Sequence, residues 1–463
     1  MSSLSRKSAV FAVLLAVLGA AALAWRLRPL PPNILVIVAD DIGIERLSVF
    51  GEPHESWPET PTIDALAGRG LVLRRAYANP VCSPTRVAAL SGRYVRRRGV
   101  GHAILATEPF ELPTDEVLIP EILRPQGYTS IAIGKWHLSN EISPSSFVHP
   151  LILGFDHHRG FLQRNNYFEW VRTDDGQASI SRRYVTRATT DDLIEAANQT
   201  AQPWFIWAAY QNAHAPIHTP PKGLNPRELP RDAPQLDQWH GMIEALDMEL
   251  GRAFGAIDPG VMDNTIIVFF GDNGSIARFM PEGWKPRGGK GSVAEGGIRV
   301  PMIVAGPGVR IGRTEALVHV VDLLPTLAEL AGADLEDSFT TAGGWDDEAA
   351  QPVSTDDGPL VLDGVSFAPL LHDAGAVSAR RYSYSESFMP LGAPPYRRDH
   401  RSVRDERYKL VRRDDTAQFY DLAGRHDDGP NLADTELDGP AREAFDRLSR
   451  VLDRHAQALV YQP

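Results

Sequence analysis

Six short segments of this chain carry residue types that could do chemistry on an anion. Asp40-Asp41 and Asp272-Asn273 offer carboxylates and an amide oxygen, a hard-oxygen set suited to Ca2+ or Mg2+ and unsuited to zinc. Neighbouring buried aspartates repel one another unless a cation lies between them. Lys135 and Lys290 are point charges for an anion's oxygens, and His137 and His214 can exchange protons near neutral pH. Cys82 is the single cysteine among 463 residues, so it cannot staple the fold internally. It opens Cys82-Ser83-Pro84-Thr85-Arg86, where Ser83 suits a helix N-cap and Pro84 the first helical position, and 87–90 continues helically to Ser91-Gly92. A side chain there faces unpaired backbone N–H groups and the positive end of the helix dipole. Arg86, four residues on, falls on the same helix face.

Each segment alone has a plainer account. Asp-Asp is a cap or turn, Asp-Asn-Gly a type I′ turn, and a free cysteine a buried apolar thiol. Lys135 alone is an exposed cation and His137 a ring packed beside Trp136. In chain order they form one pattern. Cys82-Ser83-Pro84-Thr85-Arg86 followed by Leu90-Ser91-Gly92-Arg93, then Gly134-Lys135-Trp136-His137 and His214-Ala215-Pro216, resemble the motifs of the type I sulfatases. So do Gly271-Asp272-Asn273-Gly274, the run 289–301 around Lys290, Glu295 and Arg299, and Tyr408-Lys409-Leu410. The resemblance spans roughly 33–432.

That resemblance implies an alkaline phosphatase-like fold and oxidation of Cys82 to formylglycine (3-oxoalanine) by a formylglycine-generating or maturase enzyme. It implies one Ca2+ or Mg2+ held by Asp40, Asp41, Asp272 and Asn273 against residue 82. The reaction would be hydrolysis of a sulfate ester or sulfamate on a small molecule or saccharide, with the hydrated aldehyde as nucleophile. Arg86 would hold that hydrate and Lys135 and Lys290 the sulfate. His214, with His218 as fallback, would protonate the leaving oxygen, and His137 would act as base. Glu295 and Arg299 would brace the lysine loop. A serine that contacts the nucleophile in some members could be Ser139, Ser143 or Ser145. Two other readings are a phosphonate or phosphate ester hydrolase on the same sheet, and a non-catalytic sulfatase-like binding protein.

The elements that must position these groups are legible as well. Apolar runs at 34–39, 130–133, 204–210, 265–270 and 301–305 read as buried parallel strands. Helical patterns lie at 62–67, 120–124, 189–197, 236–256 and 322–331, the last stopping at Gly332. The first four strands end on Asp40-Asp41, Lys135 with His137, His214, and Asp272-Asn273, and open α/β sheets bind ligands at such ends. The fold class is therefore α/β: a large, mixed, mostly parallel sheet sandwiched by helices. Beyond 376, short alternating runs at 381–386, 401–404, 408–412 and 418–420 and a helix at 441–459 suggest a smaller domain on an antiparallel sheet.

Hydrophobic content of 43% and charged content of 23% are ordinary for a globular protein. A net charge of −12 without a basic stripe excludes a nucleic-acid partner and requires cations to be concentrated at any anion site. Residues 1–32 read as an export signal or membrane anchor: Arg6 and Lys7 precede an apolar run at 9–25, and a proline-rich spacer follows. The catalytic part, 33–375, with its C-terminal subdomain, 376–463, would then be extracytoplasmic, periplasmic or secreted, and tethered if 9–25 is retained. The polar, acidic stretch 336–358 reads as a surface insertion. His102, Trp284 and Arg287 are candidates for the pocket rim.

Overall fold

The computed structural model describes residues 31–51, 57–163, 166–282, 288–336, 338–341, 360–425 and 428–458. The reading of 1–30, the rim candidates Trp284 and Arg287, and most of the acidic stretch 336–358 lie outside them. Among the described residues no helix is long and apolar enough to cross a membrane.

Eleven strands make one sheet: β1 (Asn33–Ala39), β2 (Gly70–Tyr77), β3 (Thr129–Lys135), β4 (His157–Phe161), β5 (Trp170–Asp174), β6 (Gln177–Ser181), β7 (Trp204–Ala209), β8 (Thr265–Gly271), β9 (Arg299–Val300), β10 (Met302–Ala305) and β11 (Gly312–His319). Their order is β11-β2-β10-β8-β1-β7-β3-β4-β5-β6, with β9 on β2. The centre, β8-β1-β7-β3-β4, is parallel throughout. These strands are apolar runs because both faces are covered. Successive residues of β1 enter opposite cores: Ile34, Val36 and Val38 on one side, Leu35, Ile37 and Ala39 on the other. The first core packs against helices Cys82–Ser91 and Leu323–Ala331, the second against Pro61–Gly68, Val185–Gln199 and Gln235–Ala256.

The run at 301–305 is a strand, but it lies antiparallel to both neighbours, β8 and β2. A continuous apolar run reports burial on two faces and carries no information about direction. β2 escaped the sequence reading because Arg74-Arg75 interrupts its apolar run, and β4 to β6 because they are short and polar.

A second sheet, β14 (Ser383–Met389), β15 (Arg397–Arg404), β16 (Tyr408–Arg413) and β17 (Thr416–Asp421), is antiparallel in sequence order, and helix Gly439–Ala458 follows it. Two further short strands, β12 (Phe339–Thr341) and β13 (Leu360–Leu362), pair in parallel. Tyr384, Val403, Leu410, Leu448 and Leu452 belong to the same core as helix Cys82–Ser91, so the C-terminal sheet is continuous with the core of the large sheet.

Candidate active site

Register brings the chemistry together. Ala39 pairs with Gly271, so Asp40 and Asp272 leave adjacent parallel strands side by side, and the Asp272 N–H donates to the Ala39 carbonyl at 2.9 Å. Gly134 pairs with Ala209, which sets Lys135 beside the loop that leads to His214. The Asp40 N–H donates to the Asn212 carbonyl at 2.8 Å, tying that loop to β1.

Helix Cys82–Ser91 enters the same edge from below. Its N-cap is Val81, and Cys82 is the first helical residue. Ser83 is therefore not the cap. Its hydroxyl donates instead to the His137 carbonyl at 2.8 Å and accepts from the Ile104 N–H at 3.1 Å. This corrects the capping expectation: the Ile104 N–H, a distant donor, takes the Ser83 oxygen that a cap would offer to its own helix. Gly92 ends the helix in the left-handed conformation, φ 67°.

Cys82 is 2% exposed. Its sulfur, an Asp40 carboxylate oxygen and an Asp272 carboxylate oxygen lie within 4.8 Å of one another, as do ligand atoms of Asp40, Asp41 and His214. Cations interleave with the acids. Lys135 Nζ pairs with Asp40 Oδ2 and lies 3.8 Å from Cys82 Sγ. Lys290 Nζ lies 2.6 Å from Asp41 Oδ1. The Arg86 guanidinium donates to Asp272 Oδ2 at 2.9 Å and to the Lys135 carbonyl, and stands 3.6 Å from Asp40. Arg86 thus shares the helix face of Cys82, and its hydrogen bonds go to Asp272 and the Lys135 carbonyl. His214 Nε2 is 3.9 Å from Asp41 Oδ2.

These contacts set the protonation pattern. Burial alone would raise the Asp40 carboxyl, but Lys135, with His214, Lys290 and Arg86, holds it well below the carboxylate range. Asp272 is pushed up to about 6 by burial and by Asp40. Burial works against charge on Lys290, yet Asp41 keeps the ammonium group above its ordinary value. Burial depresses His137 strongly and His214 to about 4, so both imidazoles are neutral at pH 7. Burial also raises the Cys82 thiol, away from the reactive thiolate.

The donor set fits a hard divalent cation. Asp40 Oδ1 and Asn273 Oδ1 are buried with no hydrogen-bond partner among the described residues. Asn273 turns its Nδ2 to Asp41 Oδ1 at 2.8 Å and to the Gly274 carbonyl, which leaves its oxygen for something else. An unpaired buried oxygen costs about 1–3 kcal/mol, and two of them beside carboxylates and an amide match an oxygen-liganded ion.

The lysine loop is held from three directions. The Lys290 N–H donates to the Ser275 carbonyl and the Gly291 N–H to the Pro80 carbonyl, both at 2.8 Å. At Gly274 a Cβ would lie 1.8 Å from the Gly296 carbonyl oxygen, so only glycine lets this loop close on the Asn273 turn. Behind it, Glu295 accepts from the Tyr77 hydroxyl at 2.8 Å and from Lys409 Nζ at 3.0 Å, while its N–H donates to Asp428 at 2.9 Å. Lys409 is fully buried and also 2.8 Å from Asp428. Arg299 donates to the Arg74 carbonyl. Asp428, the second carboxylate on Lys409, lies outside every motif of the sequence and was missed. Among the serine candidates, Ser139 donates to the Ser146 carbonyl and Ser143 pairs with Ser145 at 2.6 Å, so their hydrogen bonds lead away from Cys82. His218 stands apart, its Nε2 3.0 Å from the Tyr184 hydroxyl. His102 lies two residues before Ile104, whose N–H reaches Ser83.

The sulfatase family model matches residues 32–333. The N-acetylgalactosamine-6-sulfatase of Sus scrofa is 33% identical over 361 residues, 69% of this chain and 66% of that protein, so the match spans just under two thirds of the relative. Arylsulfatase A of Homo sapiens is 30% identical over 404 residues, 78% of this chain and 76% of that protein. The crystal structure of Ps i-CgsB superposes with a TM-score of 0.74 at 25% identity, covering 93% of this chain and 95% of that one.

Proposed function

The chain belongs to the sulfatase family, and from that premise we propose that it hydrolyses a sulfate ester or sulfamate, with formylglycine in place of Cys82 and one divalent cation, Ca2+ or else Mg2+, held by Asp40, Asp41, Asp272 and Asn273. The observation that carries this reading is the meeting of the Cys82 sulfur with Asp40 and Asp272 oxygens inside 4.8 Å, beside two buried oxygens without a hydrogen-bond partner among the described residues. Cys82 Sγ marks the place of one oxygen on the oxidised side chain. When present, the cation polarises a sulfate oxygen and the hydrated aldehyde supplies the attacking oxygen.

The remaining work falls to the chain's own side chains. Asp40, Asp41 and Asp272 balance Lys135, Lys290 and Arg86 one for one, so a bound dication leaves the cleft positive for a sulfate monoanion. Lys135 and Lys290 stabilise charge on the sulfuryl oxygens. Arg86 fixes the Asp272 carboxylate by its paired N–H donors. His137, kept neutral, is the base that takes a proton at residue 82. His214 gains its proton when a substrate anion enters, since negative charge favours the imidazolium, and with Lys290 it delivers that proton to the leaving oxygen. Modification of Cys82 requires a formylglycine-generating or maturase enzyme. The porcine relative's name specifies a sulfated amino sugar, which favours a sulfated saccharide as substrate. We place the enzyme outside the cytoplasm, delivered or tethered by residues 1–32.

The test is kcat/KM for a matched aryl sulfate and aryl phosphate, with and without chelator. The expected result is sulfate turnover that dominates, disappears on chelation and returns with Ca2+ or Mg2+. A preference for the phosphate ester would overturn the assignment in favour of a phosphate or phosphonate ester hydrolase.

A further inference from the structure

A second concavity, about 1350 Å3, opens beside the cleft between the loops that follow β4 and β7. Both loops leave the edge that carries Asp40 and Lys135, and the Leu162 carbonyl at the root of the first accepts from the His137 N–H at 2.7 Å. Tyr167 joins this concavity to the catalytic histidine. Its hydroxyl lies 2.9 Å from the His214 carbonyl and 2.8 Å from the Gln211 carbonyl, while its ring packs 4.3 Å, centroid to centroid, from His218. His218 in turn meets Phe168 at 5.2 Å. Tyr167 is itself buried; of this aromatic pack Phe168 and His218 line the concavity, and Phe168 remains 45% exposed.

The rest of the lining sets polar side chains among prolines and Leu229. Lys222 and Arg231 are exposed and, among the described residues, neither side chain makes an ion pair, whereas neighbouring Arg227 is paired with Glu244 at 2.6 Å. Asn225 adds an amide, and Glu228 is the one carboxylate on this lining. Two uncommitted cations against one acid make a locally positive surface on a chain of net charge −12. Aromatic face, amide and cations are the set that recognises a charged sugar: apolar ring faces stack, hydroxyls hydrogen-bond, and sulfate or carboxylate groups pair with Lys and Arg. The volume exceeds the roughly 300–1,000 Å3 of a pocket for one small ligand, which leaves room for more than one sugar ring.

We propose that this groove is a subsite for the neighbouring residues of an anionic oligosaccharide whose terminal sulfate occupies the Cys82 cleft, so that the substrate is a chain with charge on successive sugars. This deepens the sulfatase reading and rests on it.

Calorimetric titration of the full-length protein with N-acetylgalactosamine 6-sulfate and with chondroitin sulfate di- and tetrasaccharides tests it, alongside aryl sulfate turnover. The wild type is expected to bind the tetrasaccharide about tenfold more tightly than the monosaccharide, and the Lys222→Gln/Arg231→Gln protein to lose that tenfold gain while turning over aryl sulfate normally. Phe168→Ala should remove part of the same gain. Equal affinity for all three lengths, absence of saccharide binding, or an undiminished gain in the double variant would each overturn the subsite. Failure of aryl sulfate turnover in the wild type would instead strike the underlying reading, and the titration separates the two.

Discussion

The two ends of helix Cys82–Ser91 carry opposite kinds of buried charge. At its N-terminus, carboxylates and cations interleave around Cys82, and Asp40 Oδ1 and Asn273 Oδ1 are left open among the described residues. Beyond its C-terminus, Arg93, Arg96, Arg97 and Arg98 are all nearly buried, and each meets carboxylates. Arg97 grips Asp363 through two bonds of 2.7 and 2.8 Å, Arg93 reaches both oxygens of Glu116, and Arg96 bridges Glu386 and Asp399 at 2.7 Å each. The second cluster is closed and ties the helix to the C-terminal sheet. The first would be closed by a bound ion. Charge burial by itself therefore does not mark a site; what sets the Cys82 end apart is that its unpaired oxygens stand beside other ligand atoms within 4.8 Å of one another.

Cys82→Ala should break the open end alone. Activity should fall by at least about 10^4-fold, as for loss of a nucleophile, while the thermal midpoint shifts by no more than about 1 kcal/mol allows. Steady-state kinetics and calorimetry check both halves. Arg97→Met should do the reverse, since it strands the buried Asp363 carboxylate: about 3–5 kcal/mol of stability lost by denaturant titration, with kcat per folded molecule little changed.

Acid separates the ends further. His455 stacks on Tyr384 at 4.8 Å within the closed region, and burial lowers its pKa from 6.5 to about 4. The unfolded chain therefore binds the extra proton between those values. The stabilisation is present above pH 6.5 and is lost as pH falls towards 4, amounting to about 3 kcal/mol. Stability measured against pH should fall across that window, and less steeply in His455→Phe. Smallest of the four effects, Ca2+ at about a hundred times its dissociation constant should raise stability by about 2.7 kcal/mol. Asp40→Asn/Asp272→Asn should abolish that gain, whereas Arg97→Met should keep it.

The open end was the more legible of the two. Its groups sit directly after strands whose apolar runs announce themselves, so Asp40, Lys135, His214 and Asp272 could be placed on one edge before any coordinates. The brace could not. Arg93 to Arg98 find their partners at 115–116, 363, 386 and 399, and Lys409 finds Asp428, through pairings that no local spacing encodes. Strand direction failed at β10 and capping failed at Ser83 for the same reason: each was decided by a tertiary neighbour, β8 and β2 flanking β10 antiparallel in one case and the Ile104 N–H taking the Ser83 oxygen in the other.

The central claim is that an oxidised residue 82 is the working group of the cleft. Aryl sulfate kcat, measured on preparations whose aldehyde fraction at residue 82 is quantified by mass spectrometry of the peptide that contains it, tests this most directly. The account predicts kcat proportional to that fraction and vanishing when the residue is entirely thiol. Turnover that is independent of the fraction, or undiminished in all-thiol protein, would contradict it.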